Sequence, residues 1–229
     1  MRIALVMPAL NEEQALAEHL PHALAFADEV VVSDGGSKDG TRELAQRLGA
    51  HVVVGPPGRG SQLNRGAAAV HDADVLLFLH ADTTLPDDAR AQIENALETS
   101  DGARSAEGGA FYVRFAEPSR ALSLGTRIVN VRTRWTRLPL GDQGQFVRRD
   151  VFKEMGGFRD WPILEDLDFA RRLRGRKKMV LLRGPITTSG RRYLERGITK
   201  TIATNWFIWL LFLFGVSPHK LARLYRHIR

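Results

Sequence analysis

Two stretches decide the fold: residues 2–14, RIALVMPALNEEQ, and residues 29–41, EVVVSDGGSKDGT. Each opens on an apolar run and stops abruptly in polar and acidic residues. The run over 2–7 is unbroken, as in a strand buried on both faces; a strand with one wet face would alternate. Residues 34–40 are a turn, because Asp, Gly, Ser and Lys cluster there without periodicity. Between the two stretches, 12–27 is patterned as a helix that Pro21 is expected to kink or split. Further along come a helix over 41–48 closed by Gly49, a strand over 51–54, the loop GPPGRG, and a helix over 61–71 with Ser61 as its N-cap. A strand over 74–79 and a helix over 86–98 follow. Strands and helices alternating at this spacing imply βαβ units and a mostly parallel sheet flanked by helices. Ligands of such sheets bind beyond the carboxyl ends of the strands. Pro8–Glu12, Asp34, Arg59–Asn64 and His80–Asp82 all fall there.

The second half is less regular. A strand is expected over 108–115 and a helix over 118–134. GDQGQ (141–145) is a glycine-flanked polar loop. A short strand over 146–149 and a helical turn over 151–155 lead to Gly156-Gly157. Residues 163–174 begin with acids and end with arginines, the order that a helix dipole favours. There is no internal repeat and no flexible linker.

The chain has 229 residues, 44% of them hydrophobic and 26% charged. That is a folded globular balance, which excludes disordered and low-complexity classes. It has no cysteine, so disulfide scaffolds, thiolate metal sites and cysteine nucleophiles are excluded. The net charge of +7 is unevenly placed: residues 1–115 hold 9 basic against 17 acidic residues, and the remainder 24 against 9. A basic half suits nucleic acid, phosphorylated small molecules or an anionic membrane surface. The apolar start resembles a short signal peptide, but it runs straight into Asn11-Glu12-Glu13 and reads better as a first strand.

Several chemistries lack their motifs. No Lys follows the last Gly of GPPGRG. The dinucleotide G-x-G-x-x-G is absent after the first strand, as are G-x-S-x-G and H-E-x-x-H. What remains are acids at strand ends. Asp34 can accept from a nucleobase or a ribose, or cap its own turn. Asp82 can hold Mg²⁺ or Mn²⁺ beside a substrate's phosphates, or cap a following helix. His80 is a ligand or a packed histidine. Asp166, between Glu165 and Asp168, can take a proton from a hydroxyl, or it is one of the acids common at helix starts. Arg191 and Arg192 can neutralise a diphosphate.

Taken together, these pieces resemble the family 2 glycosyltransferases, with their GT-A (Rossmann-like) fold. The matching residues are Pro8-Ala9-Leu10-Asn11-Glu12-Glu13, Asp34 through Thr41, Gly58-Arg59-Gly60 with Asn64 and Gly66, His80-Ala81-Asp82, and Glu165-Asp166. Within the family, GRGSQLNRGA, LFLHADT, GDQGQF and TTSGRRYLERG look most like a small bacterial group found beside radical-SAM proteins and linked to arsenosugar biosynthesis. The resemblance implies an inverting transfer from a nucleotide-diphosphate-sugar to an acceptor hydroxyl. Pro8, Asn11, Glu12 and Asp34 would hold the nucleotide, with Arg59 and Asn64 flanking it. Asp82 would bind a divalent metal, Mg or Mn. Asp166, in its pair with Glu165, would be the general base, and Arg191 or Arg192 would meet the leaving diphosphate.

This chain departs from the family pattern in two places. His80-Ala81-Asp82 stands where the family usually has Asp-x-Asp, leaving one carboxylate. The Gln-x-x-Arg-Trp motif of processive synthases is absent, which favours a single transfer to a small or lipid acceptor. A nucleotidyltransferase is a rival, but Asn11-Glu12-Glu13 has the wrong charge for its loop. A non-catalytic membrane-surface binder is a second rival. Nucleic acid is disfavoured because no aromatic stacking motif accompanies the basic residues.

Residues 1–197 are read as the transferase domain and 198–229 as a hydrophobic, basic helical appendage. Within it, 201–218 carries no charge, and 206–216 (WFIWLLFLFGV) is continuously apolar. That core is short for a bilayer span of about 20 residues. Shallow membrane contact is therefore expected, with a homodimer contact as the alternative. The implied location is cytoplasmic, peripheral to the inner face of the membrane.

Overall fold

The structure is a computed structural model that describes residues 1–98, 106–176 and 178–228; the side chains of Arg192, Glu195, Arg196 and residues 226–228 fall outside that description. The first half contains β1 (Ile3–Ala9), α1 (Glu13–Phe26), β2 (Glu29–Asp34), α2 (Thr41–Leu48), β3 (His51–Val54), α3 (Arg59–Ala69), β4 (Val75–Phe78), β5 (Thr83–Thr84) and α4 (Ala89–Leu97). The second half contains β6 (Gly108–Phe115), α5 (Arg120–Thr136), a 3₁₀ turn (Gly141–Gln143), β7 (Gln145–Arg148), α6 (Arg149–Glu154), α7 (Glu165–Gly175), β8 (Met179–Thr188), α8 (Arg191–Arg196), α9 (Ile198–Leu213) and α10 (Pro218–Ile228).

The strands form one eight-stranded sheet in the order β3-β2-β1-β4-β7-β6-β8-β5. β3, β2, β1 and β4 are all parallel, while β7 runs antiparallel to both β4 and β6. Four of the seven strand pairs among the described residues are parallel, so the expected mostly parallel sheet is present; the three antiparallel pairs, β4–β7, β7–β6 and β8–β5, each involve a strand of the second half. The chain leaves β1 outward to β2 and β3, then returns on the other side of β1 as β4. That reversal opens a crevice at the carboxyl ends of β1 and β4.

β1 shows why its sequence is apolar throughout. Ile3, Leu5 and Met7 pack into one cluster with Leu16 and Leu20 of α1 and Ile93 of α4. Ala4 and Val6 pack on the opposite face with Leu63 of α3 and with Phe152, Phe158 and Phe169. Each large apolar side chain buried this way contributes about 1.5–3 kcal/mol relative to exposure. A third cluster joins Leu167 and Ala170 of α7 to Ile208 and Phe212 of α9 and Leu221 of α10.

Three local expectations are corrected. α1 is one helix through Pro21, which overturns the split but not the kink. Pro21 and Ala17 are both exposed, so the carbonyl that loses its donor faces water. α3 begins at Arg59, with Gly58 rather than Ser61 at its N-cap, and the Ser61 hydroxyl donates back to the Gly58 carbonyl at 2.9 Å. Asp82 caps no helix, because β5 follows it directly.

β8 had no counterpart in the sequence reading. Arg183-Gly184-Pro185 interrupts its pattern, and the structure places that interruption opposite the register shift between Phe111 and Val113 of β6. Glycine and proline are tolerated in a strand at such a bulge. β8 then carries Thr187 and Thr188 to pair with β5, next to Asp82.

Candidate active site

The loops after β1 and β2 are laced into one rim. Asn11, at φ 55°, donates its backbone N–H to Ser37 Oγ at 2.9 Å, and its side-chain Oδ1 accepts from Lys38 N at 2.8 Å. Asn tolerates this left-handed conformation better than most residues. Glu12 N donates to Thr41 Oγ1 at 2.9 Å, and Glu13 Oε2 accepts from Gly40 N at 3.0 Å. Asp34 is fully buried and organises the turn: its carboxylate accepts from Gly36 N at 2.9 Å and from Ser37 N at 3.0 Å, and also takes the Ser37 hydroxyl. Arg42 Nε completes its shell at 3.3 Å. Pro8, half-buried in β1, pairs with Ser33.

Gln62 was not singled out from the sequence. Its buried amide donates to the carbonyls of Ala9 and Ser33, each at 2.9 Å, and accepts from Gly58 N at 3.1 Å. It ties the ends of β1 and β2 to the start of α3. A buried side chain with all its polar atoms paired rigidifies what it joins.

Arg59 lies at the centre. Its Nε is 3.5 Å from Glu165 Oε1, and its Nη2 lies against the imidazole of His80, hydrogen-bonded to Nε2 and 3.2 Å from Nδ1. Partial loss of water opposes its charge, although its side chain stays 41% exposed, and Glu165, Asp166, Asp142 and Asp82 together outweigh this and hold its pKa above the usual value. Asn64, by contrast, is used on the backbone: it donates to Phe158 O at 2.8 Å and accepts from Phe158 N at 2.9 Å. It fixes the Gly157–Phe158 loop rather than pointing a free amide at a ligand.

Leu164 precedes α7 at φ 66°, a conformation that costs a leucine about 1–2 kcal/mol. Such strain marks a position held by its surroundings. It leads into Glu165 and Asp166, both buried. Asp166 Oδ1 accepts from Leu167 N at 2.7 Å, and Oδ2 accepts from Gly141 N at 2.6 Å. Glu165 is pushed up to about 7 by burial and then by the Asp166 charge, against the pull of Arg59.

The GDQGQ loop, read from the sequence only as polar, closes the site. Gln143 accepts from Thr133 Oγ1 at 3.0 Å and donates to Phe111 O at 3.1 Å. Gln145 donates to Pro139 O and Asp166 O, each at 3.1 Å. Just before Gln143, Asp142 has a buried Oδ1 without a hydrogen-bond partner. Burial pushes its pKa up; Asp166 and Asp82 push the same way, while Arg132 and Arg59 oppose. The signal that could have found Asp142 was a carboxylate between glycines in a loop too polar to be core. Arg59, His80, Gly141, Gln145, Phe158 and Asp166 line a single small pocket at the mouth of the crevice.

Asp82 is half-buried beside this pocket, with only a 3.4 Å contact from Thr83 Oγ1 to its carboxylate. Asp82 and Asp142 together offer hard carboxylate oxygens, one of them unpartnered, which suits Mg²⁺ or Mn²⁺. Thr83 Oγ1 is also hydrogen-bonded to Thr188 Oγ1 at 3.1 Å, which sets the 187–191 segment next to Asp82. The turn of that segment is held by Glu117, which accepts from Ser189 Oγ at 3.0 Å and Gly190 N at 2.6 Å. Arg191 is exposed at the start of α8, while the Arg192 side chain lies outside the described residues.

Among the described residues, Glu29, His51 and His71 also offer ligand atoms within 4.8 Å of one another. They sit at the opposite edge of the sheet: Glu29 and His51 are the first residues of β2 and β3. A six-residue strand spans about 16 Å, so this group is remote from Asp82.

Comparison with known proteins places these features. The model of the family described as Glycosyl transferase family 2 matches residues 4–156. Glycosyltransferase AglJ of Haloferax volcanii is 34% identical over 137 residues, covering 56% of this chain and 43% of AglJ. Succinoglycan biosynthesis protein ExoA of Rhizobium meliloti is 31% identical over 173 residues, covering 67% of this chain and 52% of ExoA. The chain thus spans about half the length of these curated relatives. Among solved structures, glucosyl-3-phosphoglycerate synthase from Mycobacterium tuberculosis, in complex with Mn²⁺, UDP-glucose and phosphoglyceric acid, superposes with a TM-score of 0.65 at 22% identity. That superposition covers 94% of this chain and 80% of the synthase, and it shows the fold.

Proposed function

The chain belongs to glycosyl transferase family 2, and we propose on that premise that it transfers a sugar from a nucleotide-diphosphate-sugar to an acceptor hydroxyl, with inversion at the anomeric carbon. The observation that carries this reading is the meeting of Asp166 with the Asp82 edge. A buried carboxylate at the start of α7 is brought, through Gly141 and Arg59, to the carboxyl end of β4.

Asp166 is the proposed base. Each of its oxygens already holds one backbone N–H, which fixes the carboxylate's plane, and each retains a lone pair for an acceptor hydroxyl. Arg59 balances the negative charge that Glu165 and Asp166 bring together. The rim of Pro8, Asn11, Glu12 and the Asp34 turn is proposed to receive the nucleotide; Asp34 acts there by holding the turn in shape. Asp82 would hold a divalent cation, with Asp142 on the same side. The cation, when bound, supplies compensation for the diphosphate's charge. The M. tuberculosis synthase carries Mn²⁺ and UDP-glucose on the same fold, which supports this ligand class. Arg191 and Arg192 are proposed to meet the departing diphosphate from the β8 side.

The test is to incubate the protein with a panel of nucleotide-sugars and Mn²⁺ or Mg²⁺ and to identify the nucleotide released. Small hydroxylated acceptors belong in the panel, including precursors of the arsenosugars linked to the resembling bacterial group. Nucleoside diphosphate and an inverted glycoside are expected. Pyrophosphate release would point to nucleotidyl transfer instead and sink the reading.

A further inference from the structure

Of the twelve exposed large apolar side chains among the described residues, eight lie on α5, on α9 or at the end of α9. On α5, Leu124, Ile128, Val131 and Trp135 recur at the spacing of one helix face, and all four are exposed; Trp135 is 84% exposed. On α9, Phe207, Leu210 and Leu213 are exposed, and so is Phe214 at its C-terminal cap, to 78%.

The two faces are continuous. Ile202 of α9 lies over Gly125 of α5, where an added Cβ would come within 3.2 Å of Ile202 Cδ1. Seven residues further along both helices, the Arg132 guanidinium sits 5.9 Å from the centre of the Trp209 ring. The helices therefore lie parallel and side by side. The buried residues, Leu122 and Thr133 on α5 and Ile208 and Phe212 on α9, point to the opposite side from the exposed ones. At 3.6 residues per turn, both exposed stripes fall on one common outer surface.

Its border is basic. Arg120, Arg127 and Arg134 are exposed at seven-residue intervals along α5. Lys200, Lys220 and Arg223 are exposed on the α9–α10 side. None of α5, α9 and α10 contains an acidic residue. No helix among the described residues is long and apolar enough to cross a membrane. An apolar strip edged by cations fits the boundary between headgroups and acyl chains. A second copy fits less well, because an isologous contact would bring the same arginine rows together.

We infer that the α5–α9 face seats the protein in the surface of an anionic lipid leaflet, with Trp135 and Phe214 inserted and the arginine row on the headgroups. This stands apart from the transfer chemistry. It also gives α5 two roles, since its inner face holds the GDQGQ loop through Thr133 and Gln143.

The test is co-sedimentation of the full chain with vesicles of phosphatidylcholine alone and with vesicles of equal parts phosphatidylcholine and phosphatidylglycerol. Binding is expected to the mixed vesicles only. The double variant Trp135→Ser, Phe214→Ser should lower it by about tenfold or more. Arg127→Gln and Arg134→Gln should each weaken it about fivefold. Donor cleavage in solution should be unchanged in all of them. The inference fails if the chain stays in the supernatant with both vesicles, or if the apolar variant binds as the wild type does. It also fails if light scattering shows a lipid-free dimer that Trp135→Ser, Phe214→Ser converts to monomer, which assigns the face to a second copy.

Discussion

The backbone N–H of Gly141 donates to Oδ2 of Asp166 at 2.6 Å, so the loop that carries Asp142 and the helix that carries Glu165 are locked together at the proposed base. Gly141 has little room for a side chain. An added Cβ would stand 2.9 Å from Asp166 Oδ2, 3.2 Å from His80 Nε2 and 3.4 Å from Arg59 Nη2. Gly141→Ala is expected to fold normally and to lose about 10²-fold in kcat, the scale of a displacement of about 1 Å in a reacting geometry. Circular dichroism and steady-state kinetics check this. A wild-type kcat would show that the Gly141–Asp166 contact is structural only.

Asp166→Asn should keep donor affinity and lose transfer by about 10²–10⁴-fold. Asparagine keeps the shape of aspartate but cannot take the acceptor's proton. The measurement is donor binding by calorimetry alongside transfer to a measured acceptor. Equal losses in both would make Asp166 a binding residue.

Asp82→Ala should abolish metal-dependent donor binding while leaving the melting temperature within a few degrees of wild type. Asp142→Asn should weaken the same binding less but raise stability, because it removes a buried carboxylate whose Oδ1 has no hydrogen-bond partner. Titrations of Mn²⁺ with nucleoside diphosphate, paired with thermal melts, separate the two. Wild-type metal affinity in Asp82→Ala would remove it from the site.

Glu165 makes stability depend on pH. Its folded pKa, about 7, lies above the ordinary glutamate value of 4.5. The folded state therefore binds more protons between these values, and stability falls as pH rises through that window. The cost is fully present above about pH 7 and absent below about 4.5. Glu165→Gln should therefore melt several degrees higher than wild type at pH 8, at roughly 2–4 °C per kcal/mol, and show little gain at pH 4.5. A gain that is equal at both pH values would refute a titrating Glu165.

The β1–β4 half was readable because its signals are local. The apolar runs of β1 and β2, the Asp34–Gly40 turn and the Gly49 cap each lie within a few residues, and hydrophobic period reports burial directly. β8 was not, because its bulge at Arg183–Pro185 is compensated only by a partner strand from elsewhere in the chain. Pro21 misled for the same reason: its cost depends on whether the Ala17 carbonyl meets water, which local sequence does not state.

The sequence by itself determined which residue types stand at the strand ends and helix starts, and so the kind of chemistry available: Asp34 and Asp82 after strands, Asp166 and Arg59 at the starts of helices. Only the tertiary structure decided what each does with its atoms. Asp34 uses its carboxylate on its own turn, and Asn64 uses its amide on Phe158. Asp142, silent in the sequence, arrives among Asp82, Asp166 and Arg59 with an oxygen to spare. The physical reason is range. Secondary structure follows from neighbours along the chain, whereas hydrogen-bond saturation and mutual charge effects depend on which distant segments are packed within a few ångströms.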